Sequence, residues 1–91
     1  MLANEMRRVT EQNADRQKAL DYCKKWILYE MDKASKRGMN HTCFTPTSHM
    51  VNGKLYDLKD ELKQWLRDER CYFRPTGYID GVMQRTEEIC W

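Results

Sequence analysis

The sequence predicts a small α+β domain of order α, β, α, β, β, in which two amphipathic helices pack on one face of a three-stranded sheet. Three observations lead there. Residues 10–38 carry apolar side chains at helical spacing, residues 55–66 repeat that spacing, and residues 71–90 hold strand-forming residues around an Asp80-Gly81 turn. At 91 residues the chain makes one domain, 1–91, and hides only about 60 to 65% of its unfolded surface.

The first helix carries the strongest pattern. Ala19, Leu20, Cys23, Ile27, Met31 and Ala34 recur at three- and four-residue steps, which at about 100° per residue gathers them on one face. Tyr22 and Trp26 widen that face, so Trp26 is expected in the core, as is Trp65 in the second helix. Thr10 is placed to cap the start with Glu11 in the first turn, while Lys36, Arg37 and Gly38 supply the positive charge and left-handed residue of an ending. Leu28 falls on the opposite side with Asp21, Lys25 and Asp32, an exposed leucine of the ordinary kind. Ahead of it, Leu2, Met6 and Val9 share one side of a short segment with Asn4 as its cap. Residues 1–9 have three courses open: to fray as a flexible or separate short helix, to continue into the main helix, or to dock on a neighbouring subunit.

Met39 to Thr45 reads as the first strand, with His41, Cys43 and Thr45 on one face, Thr42 and Phe44 on the other, and Pro46 ending it. Residues 46–53 form a polar loop that closes at Asn52-Gly53. The second helix starts at Lys54 or Leu55 and runs to about Glu69, because Leu55, Leu58, Leu62, Trp65 and Leu66 keep the helical period and Asp57, Asp60 and Glu61 suit its N-terminal half. Beyond it, Cys71, Tyr72 and Phe73 read as strand. A two-residue turn at Asp80-Gly81 pairs Ile79 with Val82, and the continued ladder sets Tyr72 opposite Ile89 and Cys71 opposite Cys90. Pro75 and Gly77 put this strand at a sheet edge or give it a bulge.

Leu, Ile, Val and Phe supply only fifteen residues, yet net charge is +2, and three Trp, five Tyr, six Met and four Cys add apolar volume, so the chain folds. Its core is thin enough to leave room for a homo-oligomer. Charge is spread, with nine basic and six acidic residues in 1–38, four and five in 39–69, and three and three in 70–91. That balance argues against a nucleic-acid binder built on a basic stripe, though not against a local pocket. No apolar run reaches membrane-spanning length and the N-terminus lacks a signal-peptide core, so a cytoplasmic protein with no membrane association is expected. Cys23, Cys43, Cys71 and Cys90 form no C-x-x-C pair and are expected as free thiols, packed as small hydrophobes.

Two chemistries are weighed and set aside. His41, Cys43 and His49 offer zinc-type donors, but His49 lies beyond Pro46 and no fourth ligand follows, so no metal or cofactor is expected. Without a nucleophile elbow, a glycine-rich phosphate loop or a paired carboxylate motif, an enzyme is not expected either. The binding candidate is the hairpin surface of Arg74, Thr76, Gly77, Tyr78 and Arg85, where guanidinium and aromatic anchors flank a turn-prone backbone. Its structural alternative is that Arg74 and Arg85 pair with Glu87 and Glu88 across the sheet while Trp91 closes the core.

The opening E-M-R-R-V-T-E-Q-N, the A-S-K-R-G helix ending, the second helix running into a strand, and the terminal R-P-T-G-Y with I-C-W resemble small α+β proteins encoded by bacteriophages and prophages. The resemblance is one of layout, covers most of the chain outside residues 46–53, and brings no catalytic residues with it. It implies a phage or mobile-element accessory protein that binds a host protein stoichiometrically, for instance to inhibit a defence system. The alternative is an oligomeric sequestering protein that holds a nucleotide or nucleic acid.

Overall fold

A computed structural model of the chain describes residues 2–75, 78–79, 82–83 and 87–91, and it is α+β. One helix spans it. α1, Leu2–Lys36, runs for 35 residues, about 52 Å at 1.5 Å per residue, against a longest molecular dimension of 54 Å. Residues 2–9 thus continue into the main helix. Thr10 is not its cap: the hydroxyl lies mid-helix and donates to the Met6 carbonyl at 2.9 Å, and Asn4 sits within the helix. The physical reason is that no Gly or Pro occurs before Gly38, so nothing interrupts helix propagation once α1 is anchored by its packed half.

The expected ending is found. Gly38 adopts φ +77°, its N–H donates to the Ser35 carbonyl and the Met39 N–H to the Ala34 carbonyl, each at 3.0 Å, the bond pair of a Schellman cap. Beyond it lie β1 His41–Cys43, β2 Ser48–Val51, β3 Lys54–Asp57, α2 Lys59–Asp68, β4 Tyr72–Pro75, β5 Tyr78–Ile79, β6 Val82–Met83 and β7 Glu87–Cys90.

Residues 46–53 and the start of the second helix depart from expectation. Asn52 and Gly53 both take positive φ, +51° and +78°, and close β2 onto β3 as an antiparallel hairpin with Val51 opposite Lys54. Positive φ at both central positions is the two-residue turn whose twist matches paired strands, so Asn-Gly joins strands here and does not precede a helix. Leu55 and Tyr56 therefore point to opposite sides: Tyr56 is buried, Leu55 is 61% exposed, and the helix starts only at Lys59. α2 ends on a second Schellman pair, Cys71 N–H to Leu66 carbonyl and Arg70 N–H to Arg67 carbonyl, both 2.9 Å, with Arg70 itself at φ +64°.

The sheet is antiparallel in the order β1-β7-β4. β4, which contains Pro75, is an edge strand, as its proline requires. Ile79 pairs with Val82 as expected, but Tyr72 stands opposite Cys90 and Phe73 opposite Ile89. The two ladders differ by one residue, because two positions separate β4 from β5 and three separate β6 from β7. A one-residue step exchanges faces, so Phe73 and not Tyr72 joins Ile89 toward the core.

That core gathers Ala19, Cys23 and Ile27 from α1, Leu58, Leu62 and Leu66 in and before α2, and Phe44, Tyr56 and Ile89. Among the described residues it holds no buried polar or charged side chain. Trp65 and Trp91 pack against it half-buried. Trp26 does not belong to it: the side chain is 43% exposed, since Tyr22 and Trp26 lie past the edge of the stripe that faces α2 and the sheet. All four cysteines are free thiols, with Cys23 and Cys90 buried, Cys71 half-buried and Cys43 exposed, so Cys43 is not the buried hydrophobe expected of it.

Candidate functional site

The hairpin surface is represented by one side chain. Arg74 lies in β4 opposite Glu88, and its Nε donates to Glu88 Oε2 at 2.7 Å, which raises the guanidinium further above its ordinary value. Here the cross-strand pair of the structural alternative is present. Tyr78 is in β5 opposite Met83, its side chain lies outside the described residues, and so do Thr76, Gly77 and Arg85.

Among the described residues the largest exposed aromatic group is elsewhere, on α1. Tyr22, Trp26 and Tyr29 follow one another at four- and three-residue steps, which lines them along one side of the helix. Trp26 meets Tyr29 edge-on, centroids 5.7 Å apart at 84°, and lies 6.2 Å from Tyr22 at 59°. Tyr22 in turn stacks on His49 of β2 at 3.6 Å and 13°. Each tyrosine or tryptophan therefore holds its neighbour in place, although all three stay 40% exposed or more. Lys25, Trp26 and Tyr29 line a shallow apolar depression of about 340 Å³, and the Lys33 ammonium sits 5.9 Å from the Tyr29 ring.

The β2-β3 hairpin fixes this surface. Asn52 donates to both oxygens of Asp15 on α1, at 3.2 and 3.1 Å, and thereby pins the turn beside the helix so that His49 meets Tyr22. At the next residue of α1, Arg16 binds Glu61 of α2 through both Nε and a terminal nitrogen and also donates to the Asp57 carbonyl at 3.3 Å. Helix, hairpin and α2 are thus tied by polar bonds around an apolar core.

No protein-family model, curated protein or solved structure matches this chain. His49, stacked on Tyr22, is separated from the strand that holds His41 and Cys43, and His41 Nδ1 is 3.3 Å from Asn40 Oδ1. Among the described residues no group of three His, Cys, Asp or Glu could hold a metal ion. No helix among them is long and apolar enough to cross a membrane.

A second concavity, about 260 Å³, lies where the end of α1 passes β1 and includes Glu30, Lys33, Arg37, His41, Cys43 and Glu88. Charges of both signs line it beside the apolar Ala34 and Met39. Sequence reasoning placed Tyr22 and Trp26 as an extension of the core face and omitted Tyr29. The signal was present: the step from 22 to 26 to 29 makes a separate stripe, turned away from the one running from Ala19 to Ala34.

Proposed function

We propose that the protein acts by stoichiometric binding of a protein partner and not by turnover, with the Tyr22, Trp26 and Tyr29 surface as its anchor. One observation carries this: three adjacent large aromatics, mutually packed and left exposed on the most extended element of the fold. Rigid aromatic side chains lose little conformational entropy on burial and dominate interface energetics. The resemblance to phage-encoded proteins makes a host protein the class of partner, and inhibition of a host function the consequence of occupying it. The hairpin residues Arg74, Thr76, Gly77, Tyr78 and Arg85 enter as a second contact surface.

Nucleotide or nucleic-acid binding is the second reading, favoured by the alternation Lys18, Tyr22, Lys25, Tyr29, Lys33 along α1. Ring geometry weighs against it. Tyr22 already has a face taken by His49, and Trp26 and Tyr29 meet edge-on, which makes a wedge and not a series of parallel stacking platforms.

The test compares wild type with the double variant Trp26→Ala, Tyr29→Ala as bait in a bacterial lysate, followed by titration of the captured protein. Loss of a true aromatic anchor costs about 2 kcal/mol or more, roughly thirtyfold in affinity. The expected result is a one-to-one complex that the double variant loses at unchanged melting temperature. Binding that survives the double substitution refutes the assignment. Affinity that falls steeply with salt and is also lost with Lys25→Glu and Lys33→Glu selects the nucleic-acid reading.

A further inference from the structure

Opposite the aromatic surface, α1 carries a second unpartnered feature. Its residues 2–14 are all exposed, an overhang of about 20 Å in which Leu2, Met6 and Val9, each half exposed or more, form an apolar stripe. At the other end of the helix, Leu28 and Met31 form one wall of an apolar groove of about 510 Å³, with Trp65, Cys71 and Trp91 on the other side. Leu28 is 53% exposed. The stripe is convex and the groove concave.

The two lie on one side of α1. Steps of three and four residues lead from Met6 and Val9 through Asn13 and Gln17, then Leu20 and Lys24, to Leu28 and Met31. We propose that a second copy of the chain covers both, the two α1 helices lying antiparallel about a two-fold axis near Gln17 so that each overhang enters the groove of the other. Position numbers then sum to 34 across the contact. Met6 stands beside Leu28, and Lys24, the charged residue on this line, faces Thr10 and not another cation. An isologous contact of this kind closes on itself and leaves neither feature uncovered.

Surface area supports a partner. The chain exposes 6994 Å², whereas a compact globular chain of its mass, 11.0 kDa, exposes about 5,600 Å². The excess exceeds the roughly 800 Å² that each partner contributes to a standard interface. The radius of gyration, 16.2 Å against about 12 Å for a compact domain of this length, reflects the same overhang. Dimerisation also directs the aromatic surfaces outward, because Tyr22, Trp26 and Tyr29 lie on the far side of α1 from the contact line.

Cys71 in the groove supplies a reporter. Sedimentation velocity from low micromolar to several hundred micromolar is expected to show a concentration-dependent dimer. Met6→Lys and Leu28→Lys, both at exposed positions, each weaken it at least tenfold at unchanged melting temperature. Met6→Cys under mild oxidation gives an intermolecular link to Cys71, located by peptide mapping. Four results overturn the proposal: a monomer throughout; a dimer that Leu28→Lys leaves intact; a link between two introduced thiols, which means overhangs pairing with each other; or a link to the exposed Cys43.

Discussion

Two helix ends of the same geometry carry opposite residues, and exchanging their chemistry gives changes of opposite sign. Gly38 and Arg70 each occupy the left-handed position of a Schellman cap, at φ +77° and +64°. A side chain in that region costs about 1–2 kcal/mol against its right-handed alternatives, and glycine is free of the penalty. A Cβ built on Gly38 meets nothing within 4 Å, so Gly38→Ala introduces no clash and incurs only the conformational penalty. Part of that is returned, because Ala restricts the unfolded chain by about 0.4–1 kcal/mol relative to Gly. The net is a loss of about 0.5–1 kcal/mol. Arg70→Gly reverses each contribution and gains about as much, since Arg70 is exposed and its side chain holds no ion pair among those described. For a domain of this size, 1 kcal/mol corresponds to about 4–8 °C in Tm. Thermal and urea unfolding of both variants should therefore bracket the wild type, Gly38→Ala below and Arg70→Gly above. Shifts of the same sign, or an Arg70→Gly variant less stable than wild type, refute the argument.

The boundary between β3 and α2 predicts unequal leucines: Leu62→Ala, fully buried, should cost about 2–5 kcal/mol by urea denaturation, and Leu55→Ala, on the outer side of β3, less than about 0.5 kcal/mol. Lys63 bonds Glu87 at 2.7 Å and holds its carboxyl below the ordinary range. A carboxylate lowered in the folded state stabilises above its unfolded value, about 4.3, and that contribution disappears as pH falls through the folded value. The stability difference between wild type and Glu87→Gln should thus be present at pH 7 and shrink progressively below about pH 4.3; a difference constant with pH counts against the pair. Arg74→Ala with Tyr78→Ala should reduce partner binding at nearly unchanged Tm, and full retention of binding assigns the hairpin a structural role alone.

What the sequence made visible was periodicity backed by a stop signal. The stripe from Ala19 to Ala34 and the Gly38 cap appear in the fold because a 3.6-residue repeat and a left-handed residue are local facts. The Ile79–Val82 pairing and the edge position of the strand with Pro75 were legible for the same reason. Two errors came from competing local signals. Leu55 and Leu58 fit a helical repeat, yet Asn52-Gly53 commits the next residues to a strand, and backbone geometry at the turn outweighs a coincidence of spacing. Thr10 is an acceptable cap, but a cap residue without a helix breaker before it does not stop a helix whose packed half is already formed. The aromatic surface was obscured differently: the 22–26–29 spacing separates it from the core stripe, but the types Tyr and Trp do not state whether such a flank is covered by another element or left to water. That is decided by where β2 lies, and β2 was assigned to a loop.

β7 is the last strand in sequence and the middle one in the sheet. Among the described residues β1 and β4 share no ladder and are joined through it. A ribosome that releases α1, the β2-β3 hairpin and α2 in turn has still made no part of the three-stranded sheet until residues 87–90 emerge. Until then Phe44, just past β1, and Phe73 in β4, which later pack against one another 4.9 Å apart, have no strand between them. A chain halted before Glu87 consequently has β1 and β4 with no strand to pair them, and exposes the apolar side chains that β7 would cover.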